Sequence, residues 1–306
     1  MTADVITLVA ATVGLATPLL LAALGELIGE RAGILNVGIE GLVLTGAFAG
    51  MLGSYASGSP TIGMLAACGA ALTLAALFAV WVVILDVDQV NAGVAVNLLA
   101  LGGTGVLYRA LFGKTGSALT VASFAPLSIA PAVAALAPLR QPVPVYVALA
   151  LVPGVWFFLA RTRLGLRLRA VGEAPQAAES VGVDVNATRI GAVLVAGLFA
   201  GAAGGYLSLA YSNTFVEGMS AGRGFIALAI VVFGRWRPSG ILIGSLLFGA
   251  ASALQFQLQA AGIAVSYHLL LMLPYVFTLV VLAVTSRDAR GPAALAQRRS
   301  GGAVSD

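Results

Sequence analysis

The sequence predicts an all-α, polytopic transmembrane bundle, and three observations carry that prediction. Hydrophobic residues make up 60% of the 306-residue chain and charged residues only 9%, where an ordinary soluble domain carries about 25% charge. The apolar residues gather in runs of about 20, the length that crosses a bilayer. The basic residues sit in the short connections between those runs, as topology signals do. The net charge of +4 and the isoelectric point near 9.6 are therefore read as membrane orientation, not nucleic-acid binding. The mean hydropathy of +1.02 agrees.

Nine spans are expected, at roughly 4–28, 36–55, 61–85, 90–108, 143–160, 188–211, 222–234, 239–258 and 268–285. Residues 1–30 hold no Lys or Arg, so the first run lacks the basic flank of a cleaved leader and is expected to stay. The segment 110–142 carries Pro126, Pro131, Pro138 and Pro142. That density predicts a folded loop with broken helices more than a clean span. The seventh span is short. Residues 1–286 form one membrane domain in this reading. The tail, 287–306, is basic and rich in Gly, Ala and Ser, and is expected to be disordered and cytoplasmic.

The one long polar interruption, 161–189, holds eight of the 28 charges. A short helix is expected inside it. Pro175 suits a first helical position and Gly182 suits the stop. Ala174, Ala177, Ala178 and Val181 recur at i, i+3, i+4 and i+7, a narrow face of small residues that can enter a groove on another protein. From spacing alone, a solvated loop with a turn or two of helix explains the same residues. If 161–189 is cytoplasmic, twelve of the sixteen Lys/Arg fall on that side, with the N-terminus outside and the C-terminus inside.

Weak internal symmetry is visible. Asn36-Val-Gly-Ile-Glu40-Gly41 and Thr214-Phe-Val-Glu217-Gly218 each follow a long apolar run and precede a Gly-rich one. This suits an inverted repeat, in which short, Gly-interrupted helices mark the substrate site. Among the glycines, Gly197, Gly201 and Gly205 repeat a four-residue spacing that permits close helix packing.

Three runs resemble a known family. Gly165-Leu-Arg-Leu-Arg-Ala-Val-Gly-Glu173, with Ala177-Ala178 and Gly182, is similar to the cytoplasmic coupling segment of bacterial ABC importer permeases, in the branch holding branched-chain amino acid, simple sugar and nucleoside permeases. Gly29-Glu-Arg-Ala-Gly-Ile-Leu-Asn-Val-Gly-Ile-Glu-Gly41, with Thr45-Gly-Ala-Phe48, resembles the nucleoside permeases in particular. Gly222-Arg-Gly-Phe-Ile-Ala-Leu-Ala229, with Gly234 and Pro238-Ser-Gly240, is the third. The resemblance implies an inner-membrane permease that moves nucleosides by alternating access and performs no bond chemistry. It implies cytoplasmic ABC ATPases as partners, which hold the ATP and Mg, while this chain holds no cofactor. It also implies a substrate-binding lipoprotein outside and a second, longer permease. ATPase coupling then falls to Arg169, Gly172, Glu173, Ala174, Ala177, Ala178, Val181 and Gly182. A sugar or branched-chain amino acid permease is the alternative within the family.

The residues themselves narrow the path. Glu26 and Glu40 are the acids lying well within apolar runs. An ionised side chain at the centre of a membrane helix costs about 2.5–3.5 kcal/mol, so each should face a partner or a wet cavity. Asn36 lies four residues before Glu40, on one helical face. Asn91 and Asn97 are candidates for hydrogen bonds to solute or between helices. Glu217 and Phe225 complete the expected substrate pathway. The aromatics Tyr206, Tyr211, Phe215, Phe225, Trp236, Tyr267 and Tyr275 lie mostly near span ends, where an interfacial belt explains most of them and one or two are free to stack on a base. Gly113-Lys114-Thr115 mimics the end of a P-loop, but Tyr108 stands where its first glycine is required. One cysteine, one histidine and one lysine leave little for a metal site or an intramembrane enzyme. A secondary transporter would share the buried acids but not the 173–182 helix.

Overall fold

The structure, a computed structural model, describes residues 2–113, 120–127, 140–260, 276 and 291–296. Ten α-helices follow one another among the described residues: α1 (Thr2–Arg31), α2 (Ile39–Ser57), α3 (Pro60–Ala79), α4 (Gln89–Phe112), α5 (Val143–Arg161), α6 (Arg163–Glu173), α7 (Pro175–Ser180), α8 (Val185–Tyr206), α9 (Arg223–Phe233) and α10 (Pro238–Ala260). The last turns of α3 and α8 widen into π-helix at Val80–Ile84 and Leu207–Tyr211.

Seven helices among the described residues are long and apolar enough to cross a membrane. The expected nine spans are therefore not confirmed among the described residues. The seventh expected span is α9, whose 11 residues cover about 16 Å, half of a 30 Å hydrocarbon core. The ninth, 268–285, lies outside the described residues. So do 114–119 and 128–139 of the proline-rich segment, whose described parts are non-helical apart from the start of α4's C-terminus at 110–112. There, Pro126 and Pro142 form an isolated antiparallel bridge.

The first helix is the axis of the bundle. It packs against α8, α9 and α10, while α2 packs against α3, α4 and α8. Leu24, Leu27, Phe78, Ile230 and Phe248 are fully buried between them. Large side chains such as Leu65, Leu98, Val106 and Phe157 point outward, as lipid-facing positions do. Because lipid is as apolar as leucine, association rests on close van der Waals fit. The glycine stripe of α8 supplies that fit. A Cβ at Gly201 would lie 2.7 Å from the Ala67 carbonyl oxygen, and one at Gly205 would press on Met64 and Ala67. On the α2 side, a Cβ at Gly46 would lie 2.7 Å from the Gly201 carbonyl oxygen.

Proline inside α1 is compensated across the bundle. Pro18 has no N–H for the Gly14 carbonyl. The Tyr206 hydroxyl donates to that carbonyl instead, at 3.0 Å. Tyr206, Phe215 and Trp236 are all buried, which corrects the reading of these three as an interfacial belt. Each lies where a helix gives way, Tyr206 at the end of α8, Phe215 past the π-helix that follows and Trp236 just past α9.

Candidate functional site: two helix starts and the platform under α7

Residues 32–38 do not continue α1. They turn back along it and deliver α2 to the inside of the bundle, and buried polar side chains hold this backbone. Glu26 Oε1 accepts from the Asn36 N–H at 2.8 Å, and Asn36 Oδ1 accepts from the Gly38 N–H at 3.0 Å. Gln89 Oε1 accepts from the Leu35 N–H at 2.7 Å. Asn97 works on both sides: its Oδ1 accepts from the Gly41 N–H at 2.7 Å and its Nδ2 donates to the Val37 carbonyl at 3.0 Å. The reason is chemical. Non-helical backbone inside a packed bundle has unpaired groups, and here protein side chains pair them. Gly93 and Gly38 let α4 approach closely enough, since a Cβ on Gly93 would lie 2.7 Å from the Gly38 nitrogen.

The second start is that of α9. Glu40, in the first turn of α2, is half-buried and places both carboxylate oxygens on it. Oε1 accepts from the Gly222 N–H and Oε2 from the Gly224 N–H, each at 2.7 Å. A carboxylate here satisfies orphan donors and faces the positive end of the helix dipole. Gly222 has φ +78° and Ala221 φ +47°, the left-handed backbone that turns the chain into the helix. A side chain on Gly224 would lie 2.5 Å from the Glu40 nitrogen.

The expected pathway residues thus divide. Glu26, Asn36, Glu40 and Asn97 meet around the start of α2. Phe225 follows Gly224 directly and is 48% exposed. Asn91 is exposed, on the first turn of α4. Glu217 belongs to another contact, an exposed ion pair with Arg109 at 3.1 Å, of a kind worth about 0–1 kcal/mol.

The opposite ends of α1, α6 and α9 form a platform. The α6 helix was not expected as a helix, yet its signals are legible. Thr162 caps it by accepting from the Gly165 N–H at 3.0 Å, and Leu164, Leu168 and Val171 recur at helical spacing. At its end, Gly172 lies so close to α1 that a Cβ would overlap the Arg31 carbonyl oxygen. Arg31 Nη2 donates to the Trp236 carbonyl at 2.7 Å, the Trp236 indole N–H donates to Glu30 Oε2, and Arg189 Nε donates to the Ala32 carbonyl at 3.3 Å. Glu30, Trp236 and Arg189 are buried and were missed. An acid beside Arg31 at the end of an apolar run reads as a solvated helix end.

The tail reaches the same platform. The Ala294 N–H donates to the Gly172 carbonyl at 2.9 Å, and Ala294 is buried. Residues 293–296 form a turn. The rest of the tail lies outside the described residues apart from 291 and 292.

On this platform stands α7, starting at Pro175 as expected, with Gly182 at φ +83° beyond its end. Its small-residue face is split, a correction to the expected single face. Ala178 is 4% exposed and packs against Val171 and Val185 of the same chain, whereas Val181 is 78% exposed. Ala174 and Ala177 are exposed as well. The reason is that α6 and α8 close on α7 from one side and take Ala178 into their own contact. Gly172 and the half-buried Arg169 belong to that supporting side, and Glu173 is exposed.

Comparison with known proteins fits this architecture. The family model for the branched-chain amino acid transport system permease component matches residues 8–284. A putative glucose ABC transporter permease protein of Haloferax volcanii is 43% identical over 259 residues, covering 83% of this chain and 78% of its own. A guanosine ABC transporter permease protein of Bacillus subtilis is 35% identical over 289 residues, 90% of each chain. A nucleoside ABC transporter permease protein of Lactococcus lactis is 35% identical over 291 residues, 91% of this chain and 92% of its own. No solved structure matches. With seven apolar spans and a family match over nearly its whole length, the chain belongs to the branched-chain amino acid transport system permease family and is a multi-pass permease of the cell membrane.

Proposed function

We propose that this permease is one subunit of an ATP-driven importer for nucleosides. The observation that carries the mechanism is the half-length α9, held at its start by Glu40 of α2 and at its end, through Trp236, by α1. A helix that crosses only half the bilayer and is gripped at both ends can move as a unit. In this reading Glu40, Asn97, Asn36 and Glu26 fix the walls of the path, and Asn91, Phe225 and Glu217 lie where solute passes or enters. The exposed face of α7, Ala174, Ala177 and Val181, docks in a separate ATPase, which holds ATP and Mg. Movement of α7 passes through Gly172 to Arg31 and Trp236, and so to α9. A second, longer permease and an extracytoplasmic binding lipoprotein complete the importer, and the face bearing α6 and α7 is cytoplasmic.

The nucleoside assignment rests on the guanosine and nucleoside relatives, each aligned over about nine-tenths of its length, and on the Gly29–Gly41 run. The glucose relative, more identical over a shorter stretch, favours a sugar as the second reading. Uptake of labelled guanosine by cells carrying or lacking this gene decides between them. Loss of guanosine uptake, competed by other nucleosides and not by glucose, supports nucleosides. Loss of glucose uptake with guanosine uptake intact overturns them.

A further inference from the structure

A cleft of about 550 Å³ opens between α5, α6 and α8, below the coupling segment. The volume lies within the range of single small-molecule sites, about 300–1,000 Å³. One wall is apolar and comes from Ile28, Phe158 and Leu164. The other is a stripe along α8, with Thr188, Gly191 and Val195 at helical spacing. Nothing lies within 4 Å of a Cβ built on Gly191, so the floor is open. The cleft runs from Asp184 to Val195, eleven residues of helix, or about 16 Å. That is the depth of one leaflet of a 30 Å hydrocarbon core.

The polar end of the cleft carries both signs of charge, with basic residues in excess. Arg167 lines the mouth, and Arg163 lies one turn before it on the same face of α6. Both guanidinium-bearing residues are exposed. Asp184 also lines the mouth, but its Oδ1 accepts from the Ala187 N–H at 2.9 Å as the cap of α8. Two arginines above an apolar slot of leaflet depth match a phosphate group carried on an acyl chain. Basic pockets between membrane helices take anionic headgroups in this way.

We infer that this cleft is a binding site for an anionic phospholipid, with its phosphate at Arg163 and Arg167 and one acyl chain along Gly191 and Val195. The occupant is a lipid and not free phosphate, because the slot supplies one-leaflet apolar depth and only an attached chain would use it. A lipid seated here touches α6 and α8 on either side of α7, and so stiffens the platform on which the coupling helix stands.

The test uses the purified full-length permease in detergent with phosphatidylglycerol or phosphatidylcholine added, and bound lipid counted by native mass spectrometry. Phosphatidylglycerol should be retained in preference to phosphatidylcholine. Arg163→Gln with Arg167→Gln should weaken retention by about thirtyfold, from two surface charges. Gly191→Leu fills the floor without touching either charge and should also release the lipid, while inorganic phosphate should not compete. Because all three positions are exposed, each variant should stay folded, and its melting temperature in detergent alone checks this. Equal retention of the two lipids, retention unchanged by both kinds of variant, or displacement by inorganic phosphate would each overturn the inference.

Discussion

Glu40 Oε2 accepts a hydrogen bond from the Gly224 N–H at 2.7 Å, so a carboxylate in one helix caps the first turn of another across 184 residues of sequence. Its second oxygen does the same for Gly222. A carboxylate offers acceptors on both oxygens, and here both are used.

Glu40→Gln keeps shape but puts an amide NH2 against one of those N–H groups. One donor is then left without a partner inside the protein, at a cost of about 1–3 kcal/mol. The expected outcome is a permease present at normal level, melting lower, and importing solute more slowly. Immunoblot and uptake in the same cells check it. Normal uptake at normal abundance would show that the cap plays no part in transport. Glu26→Gln is the milder companion, because its Oε1 bond to Asn36 can survive with the amide oxygen in place.

Gly224→Ala should be harsher than Glu40→Gln. Its new Cβ would sit 2.5 Å from a backbone nitrogen, which cannot swing aside as a side chain can. Overpacking of this kind costs about 1–3 kcal/mol, occasionally more. Reduced abundance, measured by fluorescence-detection chromatography, is the expected result. On the exposed face of α4, Gly102→Ala meets nothing within 4 Å and should be silent.

Trp236→Phe keeps an aromatic ring and removes the indole donor to Glu30. A buried acid loses its partner, and the melting temperature should fall by the equivalent of about 1–3 kcal/mol. The double variant Trp236→Phe with Glu30→Leu should recover part of that loss, since no carboxyl is then left unpaired. An additive loss would place the effect in packing.

Substitutions on α7 separate two kinds of failure. Ala178→Trp forces a large ring between Val171 and Val185 and should lower the amount of folded permease. Ala177→Trp points outward, so abundance should hold while the ATPase no longer co-purifies. If both variants keep their ATPase and transport, α7 is an ordinary loop helix.

These contrasts mark how far the sequence could be read. The long apolar runs and the punctuation of α7 by Pro175 and Gly182 were legible because each is a local property. The close packing at Gly201 and Gly205 was legible from a four-residue period. The role of Glu40 was not, since a caged helix start needs a partner from a distant part of the chain. Ala178 could not be told from Ala177, because both are small and one step apart on the wheel. The α6 helix was hidden by its arginines, which made an amphipathic helix look like a polar loop. Glu30 and Trp236 pair across 206 residues, and nothing local announces either.

The central claim is that this membrane permease works through a separate ATPase gripped at α7. Its most direct measurement is ATP hydrolysis and guanosine uptake by the complete importer reconstituted in vesicles, with wild-type permease and with Ala177→Trp. ATP-dependent uptake and hydrolysis stimulated by guanosine-loaded binding protein, both lost in the variant, are the expected results. Guanosine uptake that proceeds without ATP and follows an imposed ion gradient would contradict the claim.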